Sequence, residues 1–160
     1  MNFKVIVGIT LFLSACAPAP KSSAEQETAA KLNNARVDFF SREAVKITRE
    51  CVAAKLHIPT VKAKLLTSGY QQGVLRVFKP APEAPTVIRF SSSSFSQYGC
   101  SMTTNFRSDG KTMRNATANE LERLGFETTD GKAFAKGGLV YKLQGYTLGA
   151  GETVVSISES

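Results

Sequence analysis

The sequence predicts an α+β domain: a mostly antiparallel sheet with helices packed on one face, stapled by one disulfide. Three observations carry this. Val37, Phe40, Ala44, Ile47, Cys51 and Ala54 recur at alternating spacings of three and four, the apolar stripe of an amphipathic helix. Gln97 to Asn105 alternates with period two, placing Tyr98, Cys100, Met102 and Thr104 on one face of a strand. Cys51 and Cys100 then fall on the inner side of their elements, so a bond between them joins helix to sheet. Closing that loop stabilises the fold by roughly 4 kcal/mol on the chain-entropy estimate.

The elements follow in chain order. The first helix runs from Val37 to Ala54, with Pro59 ending it or following its end. Thr60 caps a second, short helix that Gly69 stops. Gly73 to Lys79 reads as a strand, closed by a loop in which Pro80, Pro82 and Pro85 forbid ladder pairing. Thr86 to Phe90 is the next strand, and Ser91 to Ser94 read as a polar bulge in preference to a hydroxyl-rich ligand site. Arg107 to Thr112 form a turn, after which Asn115 or Thr117 caps a helix ending at Gly125. The segments GLVYKLQGY and ETVVSISES close the chain as a hairpin joined by TLGAG. A Leu-x3-Gly-aromatic pattern occurs twice, at Leu65 to Tyr70 and at Leu121 to Phe126, each time before a strand. Ordinary helix-stop chemistry accounts for it more simply than an internal duplication.

Lys4 precedes an apolar run from Val5 to Leu13 that is too short to span a bilayer, which takes about 20 residues. Charge, length and position match a secretory signal peptide. The run ends in Leu13-Ser14-Ala15-Cys16, which resembles the lipobox of bacterial lipoproteins. That resemblance covers the first sixteen residues alone. It implies cleavage before Cys16, acylation of that cysteine, and stable membrane attachment through more than one acyl chain. Ala17 rather than Asp after the cysteine implies the outer membrane, periplasmic side, of a Gram-negative cell. A plain signal peptide that leaves Cys16 as a free thiol is the alternative. The expected organisation is a signal peptide over 1–15, a lipidated cysteine and flexible tether over 16–34, and one periplasmic domain over 35–160.

The whole chain carries a net charge of +7. Removing 1–15 takes away Lys4 and no acid, leaving 19 basic against 13 acidic residues, a net +6. With Cys16 assigned to lipid, Cys51 and Cys100 are an even pair in an oxidising compartment. One histidine and two distant cysteines are too few for a metal site, and no cofactor motif is present. His57, beside Pro59, suits a helix end better than a catalytic base. Asp109 and Asp130 sit in Asp-Gly turns, and Glu120 and Glu122 on the exposed side of a short helix. No catalytic residue is assigned.

Lys55, Lys62 and Lys64 cluster at the first helix junction, with Lys79 and Arg89 further on, as a candidate anion-binding patch. The export compartment argues against nucleic acid. The expected role is a lipid-anchored, non-enzymatic binding or accessory module, with an envelope protein or anionic envelope polymer as partner. An inhibitor of an envelope or host hydrolase is the alternative, and an enzyme of unknown type the third reading.

Overall fold

The computed structural model describes residues 22–81, 86–92, 99–148 and 152–160. The signal peptide, Cys16, Tyr98, Ser93, Ser94 and the last three residues of TLGAG lie outside them. The elements are α1 (Ser23–Ala53), α2 (Ile58–Leu66), β1 (Gln71–Gln72), β2 (Val77–Pro80), β3 (Val87–Ser92), β4 (Cys100–Thr104), α3 (Arg107–Arg123), β5 (Ala133–Lys136), β6 (Leu139–Thr147) and β7 (Thr153–Glu159). The strands form one antiparallel sheet in the order β1-β2-β3-β4-β7-β6-β5. The pleat puts Val77, Ile88, Phe90, Cys100, Met102, Val155, Ile157 and Leu143 on the face that meets the helices, and all are buried. Phe40, Ala44, Ile47 and Cys51 of α1 close the same core, as the helical stripe requires. Cys51 and Cys100 are joined, with S–S at 2.03 Å.

Several boundaries differ from expectation, each for a physical reason. Helix α1 begins at Ser23, so 23–34 is helical where a flexible tether was expected. Ser22 and Glu25 form a reciprocal capping box that starts it. Residues 23–35 are exposed, a stalk about 20 Å long at 1.5 Å per residue. Pro59 stands inside the first turn of α2, where its missing N–H costs nothing, and His57 rather than Thr60 occupies the N-cap. Pro80 stands in the ladder opposite Val87, at the end of β2 and beyond the reach of β1. Ser91 and Ser92 continue β3 instead of bulging. The expected turn at 107–112 is the start of α3. Gly110 serves a close approach there: a Cβ on it would lie 2.1 Å from Thr153 Cγ2.

The ladder registers reveal an internal two-fold relation. The pair Gln71–Phe78 has its counterpart in the bridge Glu127–Ala135. Val77–Phe90 corresponds to Phe134–Tyr141, and Ser92–Cys100 to Leu143–Ile157. The central pair Cys100–Ile157 then maps onto itself with the partners exchanged. Gly69 and Gly125 end their helices at φ 85° and 84°, and Tyr70 and Phe126 donate their N–H groups to Leu65 and Leu121, each at 3.1 Å. Lys79 lies 5.7 Å over the Tyr70 ring and Lys136 the same distance over Phe126. The repeated Leu-x3-Gly-aromatic pattern therefore marks equivalent places in two halves, which helix-stop chemistry alone does not produce.

The pairing also fixes which end each loop occupies. Arg36 pairs with Asp109 and Arg49 with Glu120, in the same order along both helices, so α1 and α3 run parallel. Glu50 pairs with Lys64, and Lys46 donates to the Ser68 carbonyl, so α2 runs back against α1. Arg36 lies over Phe106, just past the end of β4. Call this the stalk end; the disulfide, at the start of β4, marks the other. Successive antiparallel pairings point the β1–β2 loop towards the disulfide end and the loop before β5 the opposite way, although Ala133 itself aligns, through Lys142 and Ser158, with the row just past Cys100.

Replacing Cys51 and Cys100 together by Ala is expected to lower unfolding stability by about 2–5 kcal/mol. Urea unfolding of oxidised wild type against the double variant measures it, and reduced wild type should resemble the variant.

Candidate anion-binding groove

The basic patch expected at the first helix junction is divided. Lys64 pairs with Glu50 at 2.8 Å. Lys62, two residues away and so on another side of α2, donates to the Leu75 carbonyl at 2.9 Å. Lys55 stands exposed in the turn after α1. Lys79 and Arg89 are ion-paired, to Glu43 and Glu152. Two of the three lysines are thus engaged, one with a carboxylate and one with a backbone carbonyl.

The carboxylates are placed to hold α1, which corrects two expectations. Asp109, expected in a turn, is buried in the first turn of α3 and pairs with Arg36 at 3.1 Å. Burial raises its pKa, and Arg36 opposes that rise. Glu120, expected on an exposed face, is buried between Arg123 at 2.7 Å and Arg49 at 2.6 Å. Hydrogen bonds from Arg123 and then Arg49 hold its carboxyl down at about 2, against the cost of its burial. Glu43 accepts from the Tyr70 hydroxyl at 2.9 Å and from Lys79 at 2.6 Å. Burial first, and Glu43 second, push the Tyr70 phenol far above its ordinary range, so it stays a donor. Asp130 is in a turn as expected, accepting from the N–H groups of Lys132 and Ala133 at 2.8 and 2.9 Å.

Several cations without ion-pair partners among the described residues gather elsewhere. Arg107, Lys111 and Arg114 follow one another at four and three residues along α3, a single helical stripe. Lys132, just before β5, and Lys142, on β6, line the adjoining cleft. Through Leu143 and Ser158 they align with the Cys100 row, and Lys142, next to the helix-facing Leu143, projects from the other face of the sheet. Together the five line two adjoining clefts of about 660 and 270 Å³ that share Arg114, Gly145 and Tyr146. None of the five is ion-paired among the described residues. Arg114 donates to the Gly131 carbonyl at 2.9 Å, which fixes its guanidinium in the groove. A Cβ on Gly145 would lie 3.1 Å from Arg114 Cδ, so the absence of a side chain there lets Arg114 lie against β6. The one acid in the lining, Asp130, is occupied by backbone donors. The result is a positive groove with an aromatic ring, Tyr146, on its rim. It suits an extended ligand with several negative charges, because its cations succeed one another over about 10 Å of α3.

Sequence reasoning missed this groove because the Asp-Gly pair at 109–110 suggested a turn. The stripe is readable only once 107–114 is helical. No family model matches the chain, and no curated protein or solved structure matches it. Among the described residues, no group of three or more His, Cys, Asp or Glu is placed to hold a metal ion, and no helix is long and apolar enough to cross a membrane.

The depressed Glu120 carboxyl gives a pH prediction. Its stabilisation is present above the ordinary carboxylate value of 4.5 and is lost as pH falls towards about 2. Glu120→Gln should therefore lower stability at pH 7 and flatten the fall between about pH 5 and 2. Thermal melts across that range decide it, and an unchanged acid limb would remove Glu120 from the account.

Proposed function

We propose that the protein is a lipid-anchored, non-enzymatic accessory module of the cell envelope, held through Cys16 on the periplasmic side of an outer membrane. Its groove takes an anionic envelope polymer. The observation that carries this reading is the stripe Arg107, Lys111 and Arg114, without ion-pair partners among the described residues, which begins at the stalk end of α3. A chain anchored ahead of α1 presents that end to the anchoring surface, where phosphate- and carboxylate-bearing polymers are concentrated. The buried carboxylates support a non-enzymatic role: Glu43, Asp109 and Glu120 are each engaged with a cation that holds the fold.

The test uses purified lipopolysaccharide as probe. Wild-type binding should weaken steeply from low to physiological salt, because exposed charges are screened beyond roughly 8–10 Å. Replacing Arg107, Lys111 and Arg114 together by Gln should reduce it at least tenfold. The Lys55, Lys62 and Lys64 triple Gln variant should have a much smaller effect. Cys16→Ser should block both processing and attachment through lipid, so that the precursor keeps its signal peptide. Salt-independent binding, or equal losses in the two triple variants, would remove the groove from the reading.

A further inference from the structure

The hairpin between β1 and β2 breaks the rules of its own turn. Gly73 N–H donates to the Arg76 carbonyl at 2.8 Å, leaving Val74 and Leu75 as a two-residue loop. Such loops favour Asn, Asp and Gly, which adopt positive φ without strain. Here neither loop residue has positive φ. The glycine stands beside the loop, where a Cβ would lie 2.9 Å from the Arg76 carbonyl oxygen. Val74 is 98% and Leu75 79% exposed, against 46% for the next most exposed large apolar side chain described.

The second half of the molecule supplies an internal comparison. The connection from Glu127 to β5 occupies the equivalent place and is built with conventional chemistry. Asp130 caps two backbone donors, and Thr128 accepts from Gly131 N–H at 2.9 Å. The fold therefore does not demand apolar residues at this turn. Where local sequence contradicts local structure without a packing gain, function is the usual reason. Lys62 braces the loop from behind through the Leu75 carbonyl at 2.9 Å.

We propose that Val74 and Leu75 form a docking finger for an apolar socket, rimmed by carboxylates, on a partner protein of the envelope. The charge follows from Arg76, which is exposed beside the finger and has no ion-pair partner among the described residues. A protein fits better than the anchoring bilayer, because the finger lies at the disulfide end, away from the stalk. A second copy of the chain fits poorly, because the cleft on α1 sets Arg42 and Lys46 beside Glu50, a carboxylate already paired with Lys64, and so offers Arg76 no free carboxylate rim.

The test places a photo-crosslinking amino acid at position 74 in the full-length chain in intact cells, with position 129 as control. The expected result is one discrete protein adduct from 74 and none from 129, mapping to a peptide with apolar residues flanked by Asp or Glu. That protein, purified, should bind wild type and lose at least tenfold in affinity with V74S/L75S and with R76E. Thermal melts of both variants should match wild type, since these side chains are solvent-exposed. No adduct, a lipid adduct, an adduct between two copies, or binding indifferent to R76E would overturn the proposal. None of these outcomes depends on whether the groove binds lipopolysaccharide.

Discussion

The antiparallel pairing of β4 with β7 is the constraint on which the rest of the molecule depends. It joins the two halves of the sheet through Cys100–Ile157, the pair about which the registers reverse. A two-fold relation of this kind reverses strand direction, so equivalent loops point in opposite directions from the two edges of the sheet. The β1–β2 tip and the Asp130 turn are such a pair, one apolar and the other lined by cations. Two similar halves thus yield two surfaces of different chemistry, facing away from each other.

Helix α1 breaks that symmetry and gives the molecule its polarity. It has no counterpart in the second half, and it is tied along its length to every neighbouring element. Arg36 and Arg49 reach α3, Glu43 reaches β2, Glu50 reaches α2, and Cys51 reaches β4. Buried ion pairs contribute little net stability compared with apolar packing, but an unpaired partner is costly. Removing either member of a buried pair leaves its partner uncompensated, so each pair ties α1 to its place. Its exposed first turns, Ser23 to Ala35, extend the chain beyond the domain as a rod, a stiffer connection than a Pro- and Ser-rich tether provides.

Much of the fold was legible because two periodicities agreed. Cys51 on a 3.6-residue stripe and Cys100 on a two-residue alternation point to one interface, and the disulfide forms there. What escaped had specific causes. The start of α1 was written in Ser22 and Glu25, a capping box three residues apart, but the polar sequence after it lacks an apolar stripe because nothing packs on it. The start of α3 was hidden by Asp109-Gly110, residues chosen for Arg36 and for the close approach of Thr153 rather than for a turn. The β1–β2 hairpin was invisible because Val74-Leu75 carries no turn signal. Of the candidate site, single cations such as Lys62 and Lys64 were visible, but their surroundings were not. Which cations lack a carboxylate is a property of the folded chain alone.

Ligand-dependent hydrogen exchange tests the division between the two ends most directly. On adding lipopolysaccharide, amides at 107–114 and 142–147 should gain protection, while 71–77 should exchange at its unliganded rate. Protection appearing first at 71–77, or spread evenly over the sheet, would contradict the account.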